Sequence, residues 1–246
     1  GIVDSLDLCH DGISLWTSNA TTDYDGDGCL DSDSWIFAES ISSGGTANHV
    51  ASVATDGEGN TIIAGRYYGT LTLGNHSITN PSISYSLFIA KFNSDGTWAW
   101  LEGAGGSSNN GPTTQVDSID INNEGDIFVT GHFTDTISFG TTSLTSPGDY
   151  DLFVAKISGD GDWLWATRAG GTSGCYGQEI RVDSSGNAMV TGFYSNSAAT
   201  FGTTTLSQSG SVDLFVAKIN DLGVWQWAIK AGGSSSDYSY SIDLDS

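Results

Sequence analysis

Asp151-Leu152-Phe153-Val154-Ala155-Lys156 is the stretch that decides how this chain folds. A strand with one wet face alternates apolar and polar side chains. Four apolar residues run here without alternation, so both faces of the strand need cover. The run recurs as Leu87-Phe88-Ile89-Ala90-Lys91 and as Leu214-Phe215-Val216-Ala217-Lys218, at spacings of 65 and 62 residues. Each copy is followed by a Trp-x-Trp pair, at Trp98/Trp100, Trp163/Trp165 and Trp225/Trp227, and then by Ala-Gly-Gly at 104–106, 169–171 and 231–233. Upstream of each copy lies a Gly-containing turn (56–60, 122–126, 183–187) and an apolar run that passes through Gly65, Gly131 or Gly192. Self-similarity at a fixed period is the mark of a repeat architecture.

One unit holds four strand candidates. In the middle unit they fall near 116–121, 126–133, 151–157 and 162–168, with the turns joining the first to the second and the third to the fourth as hairpins. A polar insert near 136–149 carries strand-like pieces at 137–139 and 142–144. A repeated four-stranded antiparallel sheet covered on both faces is a propeller blade between two neighbours. The spacing of two within each Trp pair predicts that both indoles lie on one face and cement blade to blade. The fold class is therefore all-β: four-stranded propeller blades, three full and two partial, expected to be a fragment of a larger ring. The units span 46–106, 107–171 and 172–233. A partial unit at 34–45 matches a last strand, and one at 234–246 matches a first strand, where Tyr240-Ser241-Ile242-Asp243 is similar to Val116-Asp117-Ser118-Ile119-Asp120.

These landmarks resemble the SBBP-type β-propeller repeat of bacterial and archaeal cell-surface proteins. The residues that carry the resemblance are Gly-Asn/Asp before strand two, Val-Thr-Gly-His/Phe-Phe/Tyr, Asp-Leu-Phe-Val-Ala-Lys, Gly-x-Trp-x-Trp and Ala-Gly-Gly. The resemblance covers roughly residues 34–246 and implies an extracellular or cell-surface, secreted setting.

Residues 1–33 differ in character. Asp23-Tyr24-Asp25-Gly26-Asp27-Gly28-Cys29-Leu30-Asp31 matches a calcium loop. Asp23, Asp25 and Asp27 supply hard oxygens at positions one, three and five, and Gly28 permits the sharp turn. The Cys29 carbonyl takes position seven and Asp31 position nine. Position twelve is Ser34 where an acid is expected, and Asp33 stands in. The pattern resembles thrombospondin type 3 and dockerin-like loops, which implies Ca²⁺ as cofactor. Asp7 and Asp11 are weaker ligand candidates. Cys9 and Cys29 are expected to pair, closing a loop worth about 3 kcal/mol on the chain-entropy account, and Cys175 is left as a small half-buried thiol. A segment with so little core needs both staple and metal.

Composition narrows the partners. The chain has 246 residues and a formal net charge of −22. Such a charge repels phosphate backbones and favours cations, so nucleic acid is not expected and calcium is. Thirty-three Gly and three Pro describe a turn-rich chain, and no apolar run is long enough to span a bilayer. The chain begins without Met and without a secretory leader, as a fragment or processed product would.

No catalytic motif stands out: there is no Gly-x-Ser-x-Gly, no His-Glu-x-x-His and no Cys-x-x-Cys. Lys91, Lys156 and Lys218 recur and are expected to make structural contacts, such as to an Asp of the neighbouring blade. The acidic turns read as hairpin turns before cation sites. His132 sits in a repeat strand, but its counterparts Arg66 and Phe193 are not His, which favours structure over catalysis. Asn19 and Asn75 head glycosylation sequons. The expected function is a non-catalytic scaffold or adhesion module. The alternative is a propeller binding cell-surface glycans or other surface proteins through the inserts 70–86, 134–150 and 195–212. An enzyme similar to quinoprotein dehydrogenases through its Gly-x-Trp-x-Trp strands ranks last.

Overall fold

The computed structural model describes residues 42–43, 48–81, 84–106 and 113–245. They lie within the compact unit Ile41–Ser246. The metal candidates Asp23, Asp25, Asp27, Cys29, Asp31 and Asp33, and the pair Cys9 and Cys29, fall outside the described residues.

After β1 (Ser42–Ser43), three sheets of one design follow. Blade 1 is β2 (His49–Thr55), β3 (Thr61–Tyr67), β6 (Ser86–Phe92) and β7 (Trp98–Ala104). Between its second and third strands it carries a hairpin of β4 (Thr70–Leu73) and β5 (His76–Thr79). Blade 2 is β8 (Thr114–Ile121), β9 (Ile127–Phe133), β12 (Asp151–Ile157) and β13 (Trp163–Ala169), with the hairpin β10 (Thr136–Phe139) and β11 (Thr142–Thr145). Blade 3 is β14 (Cys175–Val182), β15 (Ala188–Ser195), β18 (Val212–Ile219) and β19 (Trp225–Ala231), with β16 (Ala199–Phe201) and β17 (Thr204–Leu206). Every pairing within these sheets is antiparallel, and strands pair in sequence order inside each blade. The chain is thus all-β and built of propeller blades, and the sheets do not close into a ring.

Burial follows from the stacking. Every residue of β12 is buried, as a strand with a neighbour on each side requires. The same motif in β18 alternates between buried and half-buried, because no blade covers its second face among the described residues. One core cluster joins blades 1 and 2 through Ile89, Trp100, Ile119, Phe153 and their neighbours, and another joins blades 2 and 3 through Phe128, Val154, Ile180 and Phe215.

Two local devices recur. In the first strand of each blade the register slips, between Val50 and Ser52, Val116 and Ser118, and Gly177 and Glu179. The bulge drives a backbone carbonyl onto the facing second strand. There a Cβ at Gly65, Gly131 or Gly192 would lie 2.0, 1.9 or 1.9 Å from the carbonyl oxygen of His49, Gln115 or Tyr176. Only glycine fits. The second bulge lies in the third hairpin strand pair, where Phe92 faces Trp98 and Lys91 faces Trp100. Ala99 is the extra residue. Adjacent residues of β6 point to opposite faces, so Trp98 and Trp100 do too. The same shift separates Trp163 from Trp165 and Trp225 from Trp227. The expectation of both indoles on one face is therefore corrected, because it counted residues as though the ladder were regular.

The two indoles of a pair take different positions. Trp163 and Trp225 pack edge-on against Phe139 and Phe201 of their own insert hairpins, and Trp98 lies against Gly74 in the turn of β4 and β5. The second indole reaches the next blade. Trp100 donates from Nε1 to the Gly159 carbonyl at 2.9 Å, and Trp165 to the Asp221 carbonyl at 2.9 Å. Trp227 is 38% exposed.

The repeated lysines bind the hairpin turns. Lys91 lies 3.1 Å from Asp56 and Lys218 3.0 Å from Asp183, both in their own blades. Lys156 bridges Asp126 of its own blade, at 2.8 Å, and Asp221 of the next, at 2.5 Å. In blades 1 and 3 the turn runs from Asp to Asn (Asp56 to Asn60, Asp183 to Asn187), whereas blade 2 reverses them as Asn122 and Asp126. The residue at the head of the turn accepts two backbone N–H bonds in every case, whether carboxylate or amide. The acid moves from one end of the turn to the other, and the lysine follows it.

Candidate functional site

The packing residues repeat, but one row of positions does not. Near the start of each blade's first strand a residue faces one near the end of the second: His49 faces Arg66, Gln115 faces His132, and Tyr176 faces Phe193. Three different pairs occupy one structural position. All lie at the end of the blades from which the insert hairpins emerge, and stacking the blades brings them into a line.

The line is continuous. Tyr68 meets Tyr85 edge-on at 6.4 Å, and the Arg66 guanidinium lies 4.8 Å over the Tyr85 ring. Arg66 Nη1 donates to Gln115 Oε1 at 3.1 Å, and Gln115 Nε2 donates to Asp117 Oδ1 at 3.1 Å. The other Asp117 oxygen lies 3.0 Å from His132 Nδ1. A carboxylate can only accept, so the ring carries its proton on Nδ1. His132 is flanked by Tyr150 at 5.4 Å and Tyr176 at 4.9 Å. Tyr176 stacks on Phe193 at 4.9 Å, Phe193 meets Tyr238 at 4.9 Å, and Tyr238 lies parallel to Tyr240 at 6.1 Å. Burial, followed by the charges of Tyr150 and Asp149, raises the Tyr176 hydroxyl above its ordinary range. Tyr176 therefore stays neutral and keeps a donor.

Arg66, Gln115, His132, Tyr176 and Phe193 are half-buried along the blades, and the row is open at both ends, at His49 and at Tyr238 and Tyr240, the last two 45% and 66% exposed. Their flanks are held by packing, which leaves polar edges and ring faces at the surface. Such a row offers hydrogen bonds and stacking area together.

Sequence reasoning placed its alternative ligand surface in the inserts and read His132, with its unlike counterparts Arg66 and Phe193, as structural, without joining them into a row. The insert hairpins bury Leu71, Leu73, Ile137, Phe139 and Phe201 against the blades, while alternate residues such as Thr70 and Thr72 stay exposed. The available signal was the lack of repetition at Arg66, His132 and Phe193, inside otherwise repeating strands. Cys175 is buried as a free thiol, and burial, with the Asp151 charge, pushes its pKa far above the ordinary range. No cluster of metal-ligating side chains occurs among the described residues, and no helix among them is long and apolar enough to cross a membrane.

No family model matches the chain. An uncharacterized WD repeat-containing protein of Acanthamoeba polyphaga mimivirus is 26% identical over 201 residues, which cover 70% of this chain. The chain spans 14% of the length of that relative. A crystal structure of a protein of unknown function from Bacteroides caccae matches with a TM-score of 0.32 at 12% identity, over 75% of this chain and 62% of that one. The three blades of this chain and its likeness to a WD repeat-containing protein are those of a β-propeller-like repeat protein.

Proposed function

We propose that this chain is a non-catalytic scaffold or adhesion module that works outside the cell, with the aromatic and polar row as its contact face. The observation that carries this reading is the separation of roles by position. The indoles and strand apolar residues that recur in every blade are spent on packing, whereas the unlike pairs His49/Arg66, Gln115/His132 and Tyr176/Phe193 gather in one line across blades. A catalytic centre needs one convergent constellation, but this line distributes its groups over three blades as an extended contact does. The N-terminal segment is proposed to bind Ca²⁺ through Asp23, Asp25, Asp27, the Cys29 carbonyl, Asp31 and Asp33, with Cys9 and Cys29 bridged, and to brace the module.

A second reading has its own support. Half-exposed tyrosine rings beside Arg66, Gln115 and His132 suit a neutral glycan, which stacks on rings and hydrogen-bonds at its hydroxyls. A glycan array and a panel of surface proteins, both probed with the whole chain, test the two readings. The proposal expects a ligand whose binding falls at least about tenfold in Tyr240→Ala and Arg66→Ala, both surface changes. Binding that ignores both variants, or that follows trimming of the inserts instead, refutes the row as the contact face. For calcium, calorimetry is expected to show uptake that Asp25→Ala with Asp27→Ala removes. No uptake at about millimolar Ca²⁺ overturns that part.

A further inference from the structure

Residues 237–245 follow blade 3 and pair with no strand among the described residues. They nevertheless sit on blade 3 as a first strand sits on the blade before it. Asp237 N donates to the Val212 carbonyl at 2.9 Å, as Thr114 N does to Tyr85 at 3.3 Å and Cys175 N to Tyr150 at 2.8 Å. Tyr238 meets Phe193 at 4.9 Å, as Tyr176 meets His132. Ile242 N donates to Glu179 Oε2 at 2.6 Å, and its counterpart Ile119 N to Ser52 Oγ at 3.2 Å. Leu244 N donates to Asp243 Oδ1, as Ile121 N does to Asp120 Oδ1.

Burial carries the same pattern. Asp237, Ser239, Ile242 and Leu244 are half-buried and the residues between them exposed, so the period of two breaks once, at Tyr240 and Ser241. In β8 the residues Thr114, Val116 and Ile119 are buried, and in β14 Cys175, Gly177 and Ile180, with the break at the same place. That break is the first-strand bulge, which in the complete blades drives the Gln115 and Tyr176 carbonyls onto the second strand. The equivalent carbonyl here is that of Tyr238.

The segment is thus a first strand whose outer edge is open, and an open edge is a template for strand addition. The N–H groups of Ile242 and Leu244 are engaged. Amide direction alternates along a strand, so those of Ser241 and Asp243 face the open edge. The complete blades show what fits there. β3, β9 and β15 run antiparallel to their first strands and set Gly65, Gly131 or Gly192 against the bulge carbonyl, with Tyr67, Phe133 or Tyr194 two residues later. Each of these strands is already paired on both edges. None is free to fill the open edge, in this chain or in a second copy.

We propose that residues 237–245 are a docking strand for an extended segment of a partner polypeptide, which pairs antiparallel with a glycine at the Tyr238 carbonyl and an aromatic residue two places after it. Main-chain hydrogen bonds hold the segment, and the glycine fixes its register, because a Cβ there would meet the carbonyl. Trp227, whose counterparts Trp100 and Trp165 bond to the next blade, is 38% exposed on the same face and is open to the partner's further residues. The proposal concerns the backbone of this segment and does not rest on the side chains of the aromatic and polar row.

The probe is a peptide copying Asn187–Ser195, added to the ¹⁵N-labelled 246-residue chain. NMR shifts and slowed amide exchange are expected at 237–245 and in the blade 3 strands beneath, saturating below about 1 mM. The same peptide with Gly192→Ala should bind at least about tenfold more weakly. In the chain, Asp243→Pro removes an N–H from the open edge and should abolish binding. Sedimentation without peptide should find a monomer. A dimer that Asp243→Pro dissociates would assign the edge to a second copy and overturn the partner assignment. No binding at about 1 mM, equal binding of the Gly192→Ala peptide, or shifts confined to other blades overturns the proposal. The two peptides decide it even if Asp243→Pro unseats the segment.

Discussion

Replacing the second indole of each pair by Phe tests how the blades hold together. Trp100 is 8% exposed and donates to the Gly159 carbonyl of the next blade at 2.9 Å. Phe at this position forfeits a hydrogen bond worth about 1 kcal/mol net, and leaves a buried carbonyl without its donor. It also removes roughly 40 Å² of apolar contact, about 1 kcal/mol at 25 cal/mol per Å². The sum for Trp100→Phe is about 2–3 kcal/mol, with cavity formation toward the upper end. Trp165→Phe breaks the equivalent bond to Asp221 and should cost about the same. Trp227 occupies the same position in blade 3 but is 38% exposed, so Trp227→Phe should cost under about 0.5 kcal/mol. Urea unfolding followed by far-UV circular dichroism reads all three without relying on the lost fluorophore. The midpoints for Trp100→Phe and Trp165→Phe should fall together, with Trp227→Phe near the parent. Equal losses in all three, or a large loss in Trp227→Phe alone, would refute the assignment of these indoles to the blade interfaces.

Other changes probe separate parts of the design. Gly131→Ala places a Cβ 1.9 Å from the Gln115 carbonyl oxygen. It should destabilise by at least about 3 kcal/mol, whereas Gly57→Ala, in open space, should be nearly neutral by the same unfolding assay. Lys156→Met leaves Asp126 and Asp221 facing each other without their shared cation and should cost about 2 kcal/mol. Lys218→Met, at a half-exposed pair, should cost under about 1 kcal/mol. Burial acts to raise the carboxyls of Asp56 and Asp183, but bonds from Asn60 and Lys91, and from Asn187 and Lys218, outweigh it and hold both at about 2. A folded pKa below the ordinary 3.8 contributes stability above that value, and the contribution is lost as pH falls through about 2. Acid unfolding of Asp56→Asn with Asp183→Asn should therefore be shallower between pH 4 and pH 2 than that of the parent chain. Alkylation at pH 8 with peptide mapping should leave Cys175 unmodified until denaturant is added, because its thiol is buried and its pKa is raised.

How far the sequence could be followed depended on whether a feature was local. The run Asp151–Ile157 is both the expected and the observed third strand, because four consecutive apolar residues need cover on both faces wherever they sit. The short pieces of the insert likewise form β10 and β11. The face of each indole was not legible, since a bulge at Ala99, Leu164 or Gln226 inverts it and no residue type announces the bulge. Lysine partners were half legible. A contact to the neighbouring blade holds for Lys156 and Asp221, but Lys91 stays within its own blade because Gly159 occupies the position of Asp221 in blade 2, and Lys218 has no following blade among the described residues. The row was not legible as a unit because Arg66, Gln115, His132 and Tyr176 are far apart in sequence and meet only when blades stack. The loss of one ion pair in blade 1, where Ser86 and Gly103 stand in the places of Asp151 and Arg168 in blade 2, is legible only once the repeats are superimposed.

Indole hydrogen exchange tests the stacking of the blades most directly. With ¹⁵N-labelled tryptophan, the Nε1–H signals of Trp100 and Trp165 should persist in D₂O with protection close to that of the sheet core, while that of Trp227 exchanges within the dead time. Rapid exchange at all three would mean that no blade seats its indole against the next, and would contradict the fold described here.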